Sequence, residues 1–153
     1  MPTFKSTDEI KAYILSKSHT AVTLAAEKVY DIIKNVLDRY YSAYDPEYYI
    51  RTERLLRSLV HPEVVSNGNG WTARVYFDAS ALDYPQGRVP LKNGEWGWAT
   101  WDGGQVLDAA MLGSSTRTWR NPIAIWDGVT PVLKSEVVDI LKKELIAAGI
   151  PVR

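Results

Sequence analysis

One run of apolar residues constrains this chain more than anything else in it. Val22, Ala26, Val29, Ile33, Val36, Tyr40 and Tyr44 step by four, three, four, three, four and four, the spacing of a single helical face. Lys28, Asp31, Lys34, Asp38 and Arg39 fill much of the remainder. The spacing predicts a helix from His19 or Thr20 to Tyr44, about 37 Å long at roughly 1.5 Å per residue. A 153-residue chain folds to a radius of gyration of about 15 Å. A rod of that length spans nearly the whole width of one compact domain, so a single domain over residues 1–153 is expected, built along this spine.

The flanking segments supply what packs on it. Ser6 or Thr7 followed by Asp8 and Glu9 reads as a capped helix start, with Ile10, Tyr13 and Ile14 on one face, and predicts a short helix over 6–16. Asp45-Pro46 ends the spine. Tyr48-Tyr49-Ile50 follows, and Thr52 is placed to cap a short helix whose Leu55, Leu56 and Leu59 dock while Arg54 and Arg57 stay wet. The period then changes to two. Trp71, Ala73, Val75 and Phe77 alternate with polar residues and Tyr76 as a half-buried strand, with Val60 to Ser66 as its partner and Asn67-Gly68-Asn69-Gly70 as the turn. Pro62 cannot donate to a ladder and belongs at an edge or a strand start.

Residues 79–129 are the least regular. Pro85-Gln86-Gly87 and Asn93-Gly94 read as turns, and Glu95 to Trp101 as a strand or an aromatic loop. Val106 to Leu112 suits a short helix preceded by Gly103 and Gly104, and Gly113 to Gly128 a loop holding Trp119 and Trp126. Long loops in a compact domain signal function or a partner. The last helix has Thr130 as cap, Pro131 at its first position, and Gly149 then Pro151 as its stop, with Val137, Leu141, Leu145 and Ala148 as its buried stripe.

Composition excludes several functions. Lys+Arg and Asp+Glu are 18 each, and residues 1–60 carry 9 basic and 8 acidic against 9 and 10 in the rest. Neither part has the surplus that neutralises phosphates, which argues against a dedicated nucleic-acid binder. There is no Cys for a disulfide framework or thiolate metal site, and the two His residues lack zinc spacing. The first residues lack a signal-peptide core and no run is apolar enough to cross a bilayer, so a cytoplasmic site of synthesis and no membrane partner are expected. Ser114-Ser115-Thr116 lacks a nucleophile elbow, and the glycines do not form a phosphate loop. His19, placed just before the spine, and His61, before Pro62, read as cap or surface residues. Glu95, Asp102 and Asp127 supply the carboxylate pairs a small hydrolase would need, but any set of 18 acidic residues contains such pairs.

The aromatic content is unusual. Six Trp and nine Tyr stand against two Phe. Tyr and Trp are favoured where one end of a side chain is apolar and the other wet, which includes interfaces. Tyr40 and Tyr44 fit the core face of the spine. Trp96, Trp98 and Trp101 fit a core or an interface equally well, and Trp platforms also stack on sugars. A cytoplasmic glycan- or peptide-binding module using Trp96, Trp98, Trp101 and Trp126 therefore stands beside an assembly protein.

A long N-terminal helix, a proline break, then Arg51-Thr52-Glu53-Arg54-Leu55-Leu56-Arg57-Ser58-Leu59 leading into a hairpin resembles the small tail-completion and head–tail joining (neck) proteins of long-tailed double-stranded DNA phages. Thr52, Leu55, Ser58 and Leu59 match that family's Thr-Gly-x-Leu-x-x-Ser-Ile stretch, with Glu53 in place of its glycine. Val75-Tyr76-Phe77-Asp78 and the closing Leu141 to Leu145, Gly149, Ile150 and Pro151 are similar to members from phages of Gram-positive bacteria. The resemblance covers roughly residues 20 to 150, and 79–129 departs most. It implies an α+β fold: a long N-terminal helix and a C-terminal helix packed on a small antiparallel β-sheet, with long Trp-bearing loops. It also implies a minor structural protein of the virion, assembled in the host bacterial cytoplasm, with no enzymatic activity, no cofactor and no metal. The expected assembly is a homo-oligomeric ring, a hexamer, that contacts the connector or stopper and the tail terminator or tail tube proteins. DNA passes through its lumen without specific binding. The interface candidates are Trp96, Trp98, Trp101, Trp119, Trp126, Tyr48, Tyr49, Arg54 and Arg57.

Overall fold

The computed structural model of the chain describes residues 3–43, 53–90, 95–112, 125–150 and 152. The fold is α+β. It divides into two compact units: residues 1–33, 61–75 and 127–153 form the first, and 34–60 and 76–126 the second.

The short N-terminal helix and the spine are one element, α1 (Thr7–Ala43). It starts at a capping box: the Ser6 hydroxyl accepts the Glu9 N–H at 3.2 Å, and the Glu9 carboxylate reaches back to the Lys5 N–H at 2.7 Å. The expected interruption near His19 does not occur. No Gly or Pro lies within these 37 residues, and the weak helix formers between the two segments turn their hydroxyls inward. Ser16 and Ser18 donate to the Tyr13 and Leu15 carbonyls, and Thr23 to that of His19. His19 is thus a mid-helix residue, not a cap. The predicted face holds: Ala26 and Ile33 are buried and Val22, Val29, Val36 and Tyr40 half-buried, while Tyr44 lies outside the described residues. Ala21, Ala25 and Leu37, absent from the predicted stripe, are buried as well. Ile10 and Ile14 are exposed, at 40% and 41%.

In the first unit, β1 (Glu63–Ser66) and β2 (Trp71–Arg74) form the predicted hairpin, antiparallel with Val64 opposite Ala73 and Val65 opposite Thr72. Asn67 N–H bonds the Gly70 carbonyl at 3.1 Å, and Gly68 takes a φ of +84°, which a side chain would resist. Pro62 sits just before β1. Trp71 locks the hairpin to α1: its indole N–H donates to the Leu15 carbonyl at 2.6 Å and its ring meets His19 edge-on at 4.4 Å.

The C-terminal region departs from expectation at its start and agrees at its end. The chain already runs helical in α4 (Ile125–Lys134), so Thr130 and Pro131 lie inside a helix. The break falls at Ser135, whose N–H is shared between the Pro131 and Val132 carbonyls and whose hydroxyl donates to Pro131. Helix α5 (Glu136–Ala147) follows, with Glu136 and Asp139 complementing its N-terminal dipole. Its end is a Schellman motif at Gly149 (φ +80°): Ile150 N–H bonds Leu145 O at 2.9 Å and Gly149 N–H bonds Ile146 O at 2.8 Å. Val137, Leu141, Leu145 and Ala148 are half-buried, and Tyr13 reaches from α1 to donate to the Ala148 carbonyl at 2.6 Å.

The second unit is more regular than the sequence suggests. Helix α2 (Arg54–Arg57) is one turn. The position before it is held by Glu53 at a φ of 53°, in the left-handed region, with no side-chain capping bond, while Thr52 and the Asp45-Pro46 break lie outside the described residues. Leu55 and Leu59 are buried and Leu56 half-buried, and a bridge between Leu59 and Phe77 closes the segment. A 3₁₀ turn (Ala79–Leu82) leads into β3 (Tyr84–Pro90), which pairs antiparallel with β4 (Trp96–Trp101). Pro85-Gln86-Gly87 is therefore not a free turn. It lies in β3, where the register shifts between Tyr84 and Gly87, so its turn chemistry appears as a bulge. Asn93-Gly94 lies outside the described residues. Helix α3 (Gly103–Leu112) begins at the two glycines rather than after them. Asp102 and Gln105 form its capping box, the Asp102 carboxylate accepting Gln105 N–H at 2.9 Å and the Gln105 side-chain oxygen accepting Asp102 N–H at 3.2 Å.

Candidate assembly surface

Ten hydrophobic side chains are buried among the described residues, and four of them are alanines. Large apolar side chains remain outside in both units: Ile10, Ile14, Leu24, Leu133, Val138 and Ile146 in the first, and Tyr76, Trp96, Trp98, Leu112 and Trp126 in the second. Exposed leucines and isoleucines are ordinary on any protein; neighbouring exposed tryptophans are not.

Trp96 and Trp98 are two residues apart on β4, and with Thr100 they are exposed, whereas Gly97 between them is half-buried. The strand alternation therefore sets both indoles on one open face, at 48% and 66% exposure. Their register partners on β3 are Pro90 and Arg88. Trp126, 54% exposed, opens α4. Trp101 ends β4 opposite Tyr84, and its side chain is outside the described set, as are Trp119, Tyr48 and Tyr49 altogether. Arg54 and Arg57 are exposed on α2, as expected; Arg54 also donates to the Asp83 carbonyl at 3.0 Å, and Arg57 stands 3.8 Å from Glu53. Tyr76 and Leu112 were not singled out by sequence: Tyr76 occupied the outward phase of a predicted strand, and Leu112 the end of a predicted helix.

The ribbon that carries Trp96 and Trp98 is fixed at its base. Asp83 immediately precedes β3, Asp102 immediately follows β4, and the Asp83 carboxylate accepts the Gly103 N–H at 2.7 Å. A Cβ on buried Gly103 would overlap the Ala79 carbonyl oxygen, so α3 and the 3₁₀ turn meet backbone to backbone. Asp78 caps that turn. Its carboxylate accepts the Ser80 hydroxyl at 2.6 Å and the Ser80 N–H at 3.0 Å, and these bonds hold its pKa below the ordinary aspartate value.

Three of the titratable residues weighed for chemistry, Asp102, His61 and His19, have structural partners. Asp102 is engaged as the α3 cap. His61 pairs with Glu27 at 3.2 Å and packs near the Tyr30 ring, and His19 packs on Trp71. No group of three or more His, Asp or Glu residues suited to a metal occurs among the described residues, and none of their helices is long and apolar enough to cross a membrane. Each unit carries nine basic and nine acidic residues, so neither has a cationic surplus.

These features describe an α+β chain with two neighbouring tryptophans exposed on one strand. The YomN family model matches residues 6–147, and the chain belongs to that family, a phage-derived one; it is a phage protein. No curated protein and no solved structure matches it.

Proposed function

We propose that this phage protein is a structural subunit of the neck or of the head-proximal end of the tail, forming a ring that joins the tail to the head connector. The observation that carries the reading is the pair of exposed tryptophans, Trp96 and Trp98, on a two-stranded ribbon. Apolar area of this kind is stabilising only when something covers it. Membership of a phage-derived family, and the order of long helix, Thr52-to-Leu59 segment and hairpin, support a virion component among the possible phage proteins. The neutrality of each unit fits a ring whose lumen DNA crosses without sticking. On this reading the protein is not an enzyme, is assembled in the host bacterial cytoplasm, and meets the connector or stopper on one side and the tail terminator or tube on the other. Closing a ring requires head-to-tail contacts, each burying above about 1,000 Å².

Light scattering on a sizing column, over a concentration series, tests this. A discrete mass of six or twelve subunits is expected. A mass of one subunit at all concentrations, together with Trp fluorescence quenched by a glycan or peptide, refutes it in favour of a binding module.

A further inference from the structure

The tip of the β1–β2 hairpin repeats one dipeptide. It reads Asn67-Gly68-Asn69-Gly70, two asparagines each followed by a residue with no side chain. The carbonyl carbon of an asparagine amide is an electrophile within reach of the next main-chain nitrogen, and a following glycine leaves that approach unhindered. Both pairs carry the same reacting groups, so the fold decides between them.

Asn67 is held at both ends of its amide. Its Oδ1 accepts the Asn69 N–H at 3.2 Å, and its Nδ2 donates to the Thr72 hydroxyl at 3.2 Å. This is an Asx turn with a second tie, to β2. The nitrogen that would attack it is engaged as well, since the Gly68 N–H donates to the Ser66 hydroxyl at 3.3 Å. The second pair has none of these restraints. Asn69 is exposed, and its side-chain amide makes no hydrogen bond among the described residues. One main-chain bond closes the loop, from the Asn67 N–H to the Gly70 carbonyl at 3.1 Å. Facing residues in an antiparallel ladder can exchange two such bonds, but the return bond from the Gly70 N–H to the Asn67 carbonyl is not made. The nitrogen of half-buried Gly70 therefore donates to no group among the described residues.

We propose that Asn69 is a site of spontaneous covalent modification, converting to aspartate and isoaspartate through a cyclic imide with Gly70, while Asn67 is protected. The Gly70 nitrogen bonds to Asn69 Cγ, the Cγ–Nδ2 bond breaks, and Nδ2 leaves as ammonia with the proton that the Gly70 N–H gives up. Water then adds to one of the two imide carbonyls. Addition at Cγ breaks the new bond and leaves aspartate. Addition at the main-chain carbonyl breaks the original peptide bond and leaves the chain running through Cγ. Nothing is oxidised or reduced. Either product adds one negative charge to a chain of formal net charge 0. The isoaspartyl product also lengthens the loop by one main-chain atom between Asn67 and Gly70, the partners of the closing bond. Trp71, whose indole holds the hairpin to α1, is the next residue. The site is independent of the assembly reading and stands or falls without it.

The folded full chain is kept in mildly alkaline buffer, sampled over time and digested with trypsin, and the acid is located by fragmentation mass spectrometry. A zero-time sample corrects for conversion during digestion. Trypsin releases Ser58 to Arg74 as one peptide holding both asparagines, and Asn93-Gly94, outside the described residues, falls in another. Breaking two or three hydrogen bonds before reaction slows a step by about tenfold or more. Asn69 is therefore expected to convert at least about tenfold faster than Asn67 in the folded chain, and the two at similar rates in urea. Removing the restraints with Ser66→Ala and Thr72→Val together should raise conversion at Asn67 towards that at Asn69. Equal conversion of the two in the folded chain, or faster conversion at Asn67, overturns the proposal. So does an unreacted Asn69 in the folded chain when the urea-unfolded chain converts. A double variant whose Asn67 stays as slow as in the parent overturns the protection by Ser66 and Thr72.

Discussion

Gly103→Ala should be the most damaging single-methyl change in the described part of this protein. The new Cβ would overlap the Ala79 carbonyl oxygen and stand 2.9 Å from Ala79 Cα, both backbone atoms of the 3₁₀ turn. No side-chain rotation relieves the clash, so α3 and the turn must separate. Overpacking of that kind costs about 1–3 kcal/mol, sometimes more. The separation also strains the Gly103 N–H bond to the Asp83 carboxylate at 2.7 Å, a charged-acceptor bond contributing about 1.5–3 kcal/mol. Together the expected loss is roughly 3–5 kcal/mol, a large fraction of the 5–15 kcal/mol typical of a domain. Gly104→Ala is the control. Its Cβ meets one side-chain atom and no backbone, the capping Asp102 carboxylate oxygen at 3.1 Å, which has to give by only a few tenths of an ångström, and alanine favours a helix by up to about 1 kcal/mol. Urea unfolding followed by circular dichroism measures both. Equal stability of Gly103→Ala and the parent, or equal loss in Gly104→Ala, refutes the backbone-contact reasoning.

Three further outcomes are expected. Glu53→Gly should stabilise by up to about 1 kcal/mol in thermal unfolding. It relieves the left-handed φ of 53°, which costs a side chain about 1–2 kcal/mol, and gives back about 0.5–1 as backbone entropy; a stability loss would mean that the exposed pair with Arg57 matters more than the backbone. Asp78, with its pKa lowered by Ser80, contributes stability that is complete above the unfolded aspartate pKa and lost as pH falls through the lower folded value. The urea midpoint of the parent should therefore drop more than that of Asp78→Ala as pH falls below about 4, and parallel curves would contradict it. Trp71→Phe removes the indole bond to Leu15, whose carbonyl still accepts from the Ser18 hydroxyl, so a modest loss of about 1 kcal/mol in urea unfolding is expected; a loss above about 3 kcal/mol would show that packing, not the bond, is what Trp71 supplies.

Local chemistry in the sequence was legible wherever it acted alone. The Asn67-Gly70 turn and the Gly149 stop each depend on residues within a few positions and stand as expected, while the strand expected from Trp71 to Phe77 ends at Arg74, although exposure keeps alternating to Phe77, which bridges Leu59 instead. Expectations failed where two plausible signals competed or a distant strand decided. A helix over 6–16 and a second from His19 or Thr20 are expected as separate elements, but no Gly or Pro breaks the backbone between them, and α1 runs through. Pro131 looked like a first helical residue, yet α4 had begun at Ile125 and the turn moved to Ser135. Pro85-Gln86-Gly87 became a bulge because β4 pairs across it. Glu53 is the informative case. The resemblance puts glycine at that position, and the left-handed backbone there gives the physical reason. At the surface, composition singled out Trp96 and Trp98, but only the strand register shows that the two share an open face.

On the proposed assembly reading, the base of the ribbon links stability to assembly. Tyr84 and Trp101 are register partners, and the residues just outside them, Asp83 and Asp102, are both committed to α3: one accepts the Gly103 N–H, the other caps the helix. The same Asp83 presents its carbonyl to Arg54 of α2. Two strands that would be marginal alone are thus clamped at one end to two helices and a 3₁₀ turn, which fixes the direction of β4 before any neighbour arrives. A strand held ready loses less conformational entropy on association than a loose one. It follows that Gly103→Ala should weaken self-association at concentrations where the variant is still folded, and Gly104→Ala should not. A Gly103→Ala protein that is less stable but associates as the parent does would separate the clamp from the surface, leaving Trp96 and Trp98 to act as side chains without a preset strand.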